Sequence, residues 1–498
     1  MSLLAQLILA TESNIRNVPI TNSESEIATL SVFGKQCGQY WNRPLTPLVV
    51  QREHPMLISE TSPSFIRLAV CASRVTLIMH LALLLGLVAT AVANAAKSRN
   101  ILYFDQWHTA DFPPPDLTGA VTHVMMSFAN SSLFAAQPAG EYKPFQSLEQ
   151  VRQLFDHELN VCLSIGGWND NSGFDEGVKT SSSRERFAKN IASTVDRLGF
   201  DCIDIDWEYP GGNGQDYKQV PNCKKRNEIK AFPLLLKEIK KYIRTKELSI
   251  AVPGLERDMI AYTSAETPRI NESVDFINVH SPFKLNLRAA SAIKRYISLG
   301  FPASKLAIGI PFYAKWFTTK NGYTCNQPIG CPTEPLEDEL DGSDTGKSGS
   351  MTFEATNFAA PPAKLAITPD NTCGVRAGFK CAEGSCCGES GWCGSTPAHC
   401  GTGCHFAYGK CDGIDILSSF HKALRNGYTD VEKGAQWYWD AETRLFWSWE
   451  TPELIKKMIL SLANTHGIKS VMAWTLTQDS NDWSHLNAMQ KGFVAVNT

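Results

Sequence analysis

Four carboxylic acids lie within one short segment, "FDCIDIDWEYP" (residues 200–210), and they are the strongest candidates for chemistry in the sequence. Successive side chains of a strand point to opposite faces, so Asp204, Asp206 and Glu208 would share one face, whereas Asp201 has the opposite parity. Like charges held this close repel one another, and burying them is costly unless they are paired or neutralised. The pattern therefore indicates a site that needs grouped carboxyl groups.

Acid–base catalysis is the chemistry that this grouping favours. Neighbouring acids raise at least one of the three pKa values, and a carboxyl group that stays protonated can act as a general acid. A polar strand end, or a site for a hard cation bound by three carboxylates, is the alternative. The aromatic Trp207 and Tyr209 and the following Pro210 do not favour a metal loop. We therefore expect no metal here.

The acids lie on the fourth of eight apolar runs that alternate with helical stretches. Strands alternating with helices imply a parallel sheet, and eight buried runs predict a closed (β/α)8 TIM barrel, with an open doubly wound sheet as the alternative. No G-x-G-x-x-G follows the first run, so we expect no bound dinucleotide. We expect no other cofactor either. The runs lie at 100–107, 122–130, 160–168, 200–207, 248–254, 274–280, 305–313 and 468–476.

A long insertion separates the seventh run from the eighth. It covers residues 314–450 and contains eight cysteines between Cys373 and Cys411, as well as two aromatic segments that resemble strands, at 435–442 and 444–450. Because it follows a barrel strand, it should lie at the carboxyl-terminal rim, where barrel enzymes place their active sites. We expect the insertion to lie beside the site, with Asp440 facing the groove.

The N-terminal region predicts that the protein is secreted. Residues 75–96 contain an apolar run followed by Ala91, Ala93 and Ala95, which is typical of a secretory signal that begins at Met79 and ends at residue 96. Residues 1–78 then read as a non-native or disordered extension. If they are translated, 75–96 could instead anchor the protein in a membrane. The cysteine density agrees with an oxidising compartment, so we expect a secreted, extracellular protein.

The fourth run, taken with its neighbours, resembles the signature of glycoside hydrolase family 18, the chitinases and their relatives. D-x-x-D-x-D-x-E matches 201–208, S-x-G-G matches Ser164, Gly166 and Gly167, and the tryptophan of the eighth strand matches Trp474. The segments "YFDQW" and "LSIAVPG" are similar to the first and fifth strands of that family. The resemblance covers roughly residues 99–494 outside the cysteine-rich part and implies a catalytic domain over 97–498.

The resemblance also implies a mechanism and a substrate. Glu208 would protonate the glycosidic oxygen, the 2-acetamido oxygen of the sugar would attack the anomeric carbon, Asp206 would hold the acetamido N–H, and Asp204 would tune Asp206. The configuration should be retained, in endo-type cleavage of β-1,4 N-acetylglucosamine linkages. The partners expected are chitin or chitooligosaccharides, and the protein should be a monomer. The substrate-binding residues expected are Trp474, Tyr209, Tyr103, Gly167 and Trp168.

The sixth run departs from the family pattern. The family's sixth strand ends in M-x-Y-D, and its tyrosine and aspartate lie at the reacting centre. Here "DFINV" (275–279) is followed by "HSPFK", without that pair. A catalytically impaired chitin-binding lectin is therefore the alternative function. We interpret His280 as a strand-end residue without a catalytic role.

The cysteine-rich segment 371–412 resembles a hevein-type (type 1) chitin-binding module, and an insert of this kind is similar to those of fungal chitinases. The rest of the insertion, roughly 314–372 and 412–450, resembles the α+β insertion domain of chitinases with deeper clefts. Of the family's sugar site only Trp392 remains, because Ser390 and His399 stand at two aromatic positions and Gly388 at the serine position. We therefore expect weak chitin binding. The resemblance implies four disulfides: Cys373–Cys387, Cys381–Cys393, Cys386–Cys400 and Cys404–Cys411.

Four other cysteines have simpler interpretations. Cys325 and Cys331 would close a small loop near the module. Cys162 and Cys202 fall on barrel strands, and we interpret them as buried free thiols. The net charge of −3 provides no basic surface, so no nucleic acid is expected as a partner.

Overall fold

The computed structural model describes residues 97–109, 111–280, 286–327, 329–388 and 390–498. The predictions for 1–78 and 79–96 lie outside these ranges. Within them, no helix combines the length and the apolar character that crossing a membrane requires.

Eight parallel strands close into a barrel, which confirms the predicted (β/α)8 fold and excludes the open sheet. The first seven strands are consecutive along the chain, and β17 closes the ring between β7 and β1. Their bounds are β1 Asn100–Asp105, β2 His123–Ala129, β3 Asn160–Gly166, β4 Cys202–Asp206, β5 Glu247–Val252, β6 Phe276–Val279, β7 Leu306–Pro311 and β17 Ser470–Trp474.

Helices cover the outside of the barrel. Thr180 and Ser183 form a capping box at the start of Ser181–Leu198, and Gly199 (φ +83°) ends it in the left-handed conformation. The apolar face of this helix buries Phe187 and Ile191 against the strands. The helices are Ser132–Ala135, Leu148–Gln153, Ser172–Val178, Ser181–Leu198, Arg226–Ile243, Thr267–Asn271, Asn286–Ser298, Pro452–His466 and Ser484–Asn497.

The alternation of the strands divides the core into two layers. Along β1, Leu102 and Phe104 belong to the large cluster between strands and helices, whereas Ile101 and Tyr103 belong to a smaller cluster inside the barrel. The inner cluster also holds Cys162 and Cys202.

The prediction that Cys162 and Cys202 are free thiols is wrong, because the two residues form a disulfide. They are paired in register on the adjacent parallel strands β3 and β4, with Cα atoms 4.4 Å apart. That separation suits a disulfide. The sequence did not show that the two positions would be in register.

The insertion between β7 and β17 forms a second sheet of five strands in the order β14-β15-β16-β8-β9. One face packs against the helix Ile416–Asn426 through Trp316, Phe420 and Trp447. The sheet strands are β8 Tyr313–Thr318, β9 Ser348–Thr352, β14 Tyr428–Asp430, β15 Ala435–Asp440 and β16 Leu445–Trp449.

Asp440 does not face the groove as predicted. It is 3% exposed and its Oδ1 accepts a hydrogen bond from Nζ of Lys422, on the helix that packs against the sheet. Its parity on β15 matches that of Tyr438, which also packs in this core. The alternation of the strand therefore directs Asp440 away from the barrel.

Segment 371–412 is held together by cross-links rather than by an extended core. Its small elements are β11 Phe379–Lys380, which pairs with β10 Ala366–Ile367, then β12 Cys386–Cys387, β13 Cys393–Gly394 and the helix Pro397–Cys400. The disulfides are the four pairs that the resemblance implies: Cys373–Cys387, Cys381–Cys393, Cys386–Cys400 and Cys404–Cys411. Cys325 and Cys331 are also joined.

Candidate active site

A cavity of about 900 Å³ opens at the carboxyl-terminal rim of the barrel. The end of β4 supplies Asp206 to its wall, Glu208 follows at the rim, and Trp474 comes from the end of β17. Lys315 and Phe317 of the insertion sheet line the opposite side. The barrel and the insertion thus share one cavity, and the acids of β4 lie at its base.

Asp204 lies beneath the cavity and is completely buried. Its Oδ1 accepts hydrogen bonds from Ser249 Oγ (2.6 Å) and Asn278 Nδ2 (3.3 Å), and its Oδ2 accepts from the Tyr103 hydroxyl (2.7 Å) and Ser164 Oγ (2.8 Å). Four donors can stabilise a buried carboxylate. The strand register explains the network, since Ser164 and Ser249 are the neighbours of Asp204 on β3 and β5.

Asp206 lies between the other two acids and is 2% exposed. Burial raises the pKa of its carboxyl well above the usual range, and the charges of Glu208 and Asp204 raise it further. Its Oδ1 is buried and has no hydrogen-bond partner among the described residues. Burial therefore favours the protonated form of Asp206, and one of its oxygens lacks a hydrogen-bond partner among the described residues.

Glu208 is the acid nearest to the solvent, with 13% of its side chain exposed. Tyr209 forms a side-chain hydrogen bond with it. Burial, followed by the Glu208 charge, raises the pKa of the Tyr209 hydroxyl far above its usual range. The phenol is therefore a stable hydrogen-bond donor, and Glu208 can be reached from the cavity while its orientation is held by a neighbour.

Aromatic rings form the floor beside these acids. The ring of Trp474 stacks on Phe128, with centroids 5.4 Å apart and planes 17° apart, and its centroid is also 5.4 Å from that of Tyr103. At the rim, Trp168 is 46% exposed, and its ring centroid lies 6.2 Å from that of Tyr209. Flat apolar surfaces next to hydrogen-bonding groups suit the faces and hydroxyls of a sugar.

Gly166 and Gly167 let the end of β3 approach this floor closely. Both have positive φ, 117° and 92°. A Cβ atom at Gly166 would lie 2.1 Å from the carbonyl oxygen of Asp206, and one at Gly167 would lie 2.9 Å from the ring of Phe128. The two glycines of the S-x-G-G motif are thus required by close contacts of the end of β3 with β4 and with β2.

The structure brings together most of the residues singled out from the sequence. Tyr103, expected to bind substrate, instead lies one layer deeper: it is 1% exposed and donates to Asp204. Burial, and then the charges of Asp204 and Asp206, raise the pKa of its hydroxyl well above the usual value, so it remains a donor. Of the residues singled out from the sequence, those that line the cavity are Asp206, Glu208, Tyr209, Gly167, Trp168 and Trp474.

His280 lies closer to the chemistry than its interpretation as a strand-end residue implied. Its Nδ1 is 4.0 Å from Oε2 of Glu208, and it lines the cavity. The segment that follows, 281–285, where the family's tyrosine and aspartate would be expected, lies outside the described residues.

Sequence reasoning missed Ser249, Asn278 and Tyr313. The first two bind Asp204, and the third lines the cavity. Ser249 and Asn278 are polar positions within apolar strands, and that contrast could have identified them. Burial, and then the charge of Glu208, raise the pKa of the Tyr313 hydroxyl far above its usual value.

The residues predicted to bind sugar on the disulfide-rich segment lie outside the cavity. Trp392 is 52% exposed and Ser390 is also exposed, while Nδ1 of His399 is 2.7 Å from Oγ1 of Thr396. One exposed ring is thus accompanied by small polar groups.

Comparisons with known proteins agree with this arrangement. A model of the family "Glycosyl hydrolases family 18" matches residues 99–479. The chain is 27% identical over 270 residues to Endochitinase 1 of Metarhizium robertsii, a match that covers 45% of this chain and 62% of that relative, and so less than two thirds of its length.

Two solved structures share the fold. The crystal structure of a chitinase from Rhizomucor miehei has a TM-score of 0.55 at 18% identity, covering 79% of this chain and 99% of that one. A chitinase variant from Cycas revoluta in complex with (GlcNAc)4 has a TM-score of 0.51 at 16% identity, covering 80% and 100%.

Proposed function

We propose that this chain, which belongs to glycosyl hydrolases family 18, is a chitinase that cleaves β-1,4 N-acetylglucosamine linkages within chitin and retains the anomeric configuration. The observation that carries the proposal is the buried, unpartnered Oδ1 of Asp206, between the network of Asp204 and the accessible Glu208. The site holds one accessible acid, a recessed acid with a free acceptor, and an aromatic floor.

In the first step, Glu208 donates its proton to the glycosidic oxygen while the carbonyl oxygen of the substrate's 2-acetamido group attacks the anomeric carbon. The bond to the leaving sugar breaks, and an oxazolinium ion forms. The sugar supplies its own nucleophile, and holding that group in attack geometry is a proximity effect. Stacking on Trp474 would orient the ring for this attack.

Asp206 would act mainly in the transition state. Its free oxygen can accept a hydrogen bond from the acetamido N–H. Burial favours the protonated form of this carboxyl in the free site. During the reaction its proton would pass to the neighbouring Asp204, and the negative charge left on Asp206 would stabilise the positive charge that develops on the sugar. The interaction thus becomes stronger as the reaction proceeds, which is the condition for catalysis.

In the second step, the Glu208 carboxylate takes a proton from water as that water attacks the anomeric carbon. The oxazolinium ring opens, the acetamido group is restored and Glu208 is protonated again. Two displacements at one carbon give net retention. Protons and electrons balance over the two steps without a metal or cofactor.

Chitin as the substrate, and attack within the chain, have separate support. The Metarhizium relative is named an endochitinase, and the Cycas structure holds four N-acetylglucosamine units. Segment 371–412 carries an exposed Trp392 that could stack on the same polymer. We propose that it is a hevein-type module that binds chitin weakly. We also propose that the protein is secreted, as its disulfides favour, and that it is a monomer.

Hydrolysis of chitotetraose tests the proposal. Purified protein should release shorter oligosaccharides, and Glu208→Gln should reduce turnover by roughly 10²- to 10⁴-fold, the usual contribution of a general acid. Glu256→Gln, an exposed glutamate on the loop after β5, provides the control. Proton NMR of the first-formed product should show the β-anomer.

Two results would contradict the proposal. Hydrolysis that survives the Glu208→Gln substitution would show that Glu208 is not the general acid. Binding of chitotetraose and colloidal chitin without any hydrolysis would instead support the lectin.

A further inference from the structure

One hairpin of the insertion touches the loop that follows the catalytic strand. We call residues 334–346 the strap and residues 207–225 the β4 loop. The strap is an ordered hairpin, because Glu337 and Asp344 pair as an antiparallel bridge and Asp338 N–H donates to the Ser343 carbonyl (2.8 Å). At its base, Glu334 forms an ion pair with Arg444 (3.3 Å).

Three consecutive residues of the β4 loop bind the strap. Gly342 (φ +75°) allows the close approach, since a Cβ atom there would lie 2.7 Å from Cγ of Lys218. Burial, and then the hydrogen bond to Glu337, raise the pKa of Tyr217 to about 12, so its hydroxyl remains a donor at neutral pH. The hydrogen bonds run from the Tyr217 hydroxyl to Glu337 Oε2 (2.5 Å), from Lys218 Nζ to the Glu339 carbonyl (2.7 Å) and from Gln219 Nε2 to the Asp341 carbonyl (2.8 Å).

The topology places this contact at the cleft. The β4 loop starts at one barrel strand and the insertion starts after β7, with β5 and β6 between them in the ring. The contact therefore joins segments that follow two non-adjacent strands of the barrel. Both partners also line the cavity, the β4 loop through Glu208 and Tyr209 and the strap through Leu336, next to Glu337.

We infer that the strap and the β4 loop form a bridge across the substrate cleft, under which a chitin chain must pass, and that this bridge determines which chains can enter. A short oligosaccharide or a free chain end can thread beneath it. The middle of a long chain has no free end to thread, so it can enter only after the three hydrogen bonds break. The inference rests on the proposed function and specifies its preferred substrate.

The bridge is weak enough to open. The three bonds lie at the surface, and each contributes only a modest net stabilisation because water competes for the same groups. Opening should therefore limit the rate of loading long chains without preventing it. Cleavage within polymeric chitin would follow opening, and oligosaccharides would not have to wait for it.

Binding kinetics can test the bridge without relying on turnover. In a Glu208→Gln background, stopped-flow tryptophan fluorescence would measure association with chitotetraose and with glycol chitin, a soluble long-chain derivative. Tyr217→Phe removes one bridging hydroxyl, and Tyr217→Phe with Lys218→Ala and Gln219→Ala removes all three donors. Tyr242→Phe is the matched control, because its hydroxyl donates to Glu185 (2.8 Å) on the outer helices.

We expect the association rate of glycol chitin, divided by that of chitotetraose, to rise about fivefold in Tyr217→Phe. A factor of about five corresponds to the loss of one modest hydrogen bond. The triple variant should exceed roughly tenfold, and Tyr242→Phe should stay at the parent value. Circular dichroism would check that each variant is folded. In the protein with Glu208 intact, the same triple substitution should favour cleavage within long chains. The viscosity of glycol chitin should then fall further for each reducing end that is released.

An unchanged ratio in folded Tyr217→Phe and triple variants would overturn the bridge, as would an equal rise for both ligands. Binding of both ligands by a protein that never hydrolyses them would overturn the proposed catalytic function and leave the result on the bridge valid. Failure to bind either ligand would overturn both proposals.

Discussion

The end of β4 and the segment 371–412 are the two regions proposed to bind a sugar, but they are stabilised in different ways. At β4, the register of neighbouring strands supplies Asp204 with four hydrogen-bond donors inside a large apolar core. In the cysteine-rich segment, the buried clusters consist mainly of the cysteines themselves. Hydrogen bonds and packing can therefore offset the cost of burying Asp204 in the barrel, whereas the segment depends on covalent cross-links to hold its exposed rings.

Apart from Glu208→Gln, the largest expected effect is on the barrel side, at Asp206. Asp206→Asn keeps the size and the acceptor oxygen but removes the ability to become negatively charged beside the oxazolinium ion. We expect kcat for chitotetraose to fall by roughly 10²- to 10³-fold, with little change in KM. Steady-state kinetics would measure this effect.

Asp201→Asn is the control on the same segment, because Asp201 binds Arg152 (2.7 Å) away from the cavity. It should reduce stability more than turnover. An Asp206→Asn enzyme that is as active as the parent would show that the recessed acid is not part of the mechanism.

The next effect is on the module side. Replacing both Cys386 and Cys400 with serine opens a link that spans 14 residues, and such a loss typically costs about 2–5 kcal/mol. We expect segment 371–412 to become sensitive to limited proteolysis while chitotetraose hydrolysis stays within twofold of the parent. Proteolysis followed by mass spectrometry would locate the cleavage.

Replacing both Cys404 and Cys411 opens a link of only 7 residues and should have a smaller effect. A loss of chitotetraose hydrolysis in either double variant would show that the barrel and the segment do not fold independently.

A third effect concerns how the free energy of unfolding of the barrel depends on pH. Glu228 is 9% exposed and its Oε2 accepts a hydrogen bond from Gly211 N–H (2.9 Å), which anchors the β4 loop. Burial raises the pKa of Glu228 to about 7 from 4.5. The folded protein then binds a proton that the unfolded chain releases, so the stabilising contribution is complete below pH 4.5 and is lost as pH rises towards 7.

Glu228→Gln should abolish that loss. Relative to the parent, the free energy of unfolding of the variant should increase between pH 4.5 and 7, by at most about 3 kcal/mol. Denaturant unfolding at several pH values measures this difference. Glu149→Gln, at an exposed helix position, should produce no such trend, and parallel curves for Glu228→Gln and the parent would contradict the prediction.

The smallest effect should be at the exposed ring of the module. Trp392→Ala should weaken retention on colloidal chitin about threefold, since one stacking contact contributes little, and leave chitotetraose hydrolysis unchanged. Phe406→Ala, which removes another exposed ring of the segment, is the control. If both variants bind like the parent, the segment does not hold chitin through Trp392.

Much of the fold and the centre of the site could be predicted because they depend on local pattern. The alternation in 200–208 placed three acids on one face, and the eight apolar runs correspond to the eight barrel strands. The positions of Asp440 and Tyr103 were harder to predict, since both depend on which layer of the structure a side chain enters. Asp440 turned to the helix side of its sheet, and Tyr103 became a buried donor.

By itself, the sequence determined the barrel, the acids of β4 and the spacing of the cysteines, because strand alternation and motif spacing are properties of the chain alone. Only the tertiary structure decided which distant residues meet. The Cys162–Cys202 disulfide, the donors Ser249 and Asn278, and the contact between the strap and the β4 loop all arise from strand register and loop reach. Register and reach are set when the ring of strands closes, and no local pattern encodes them.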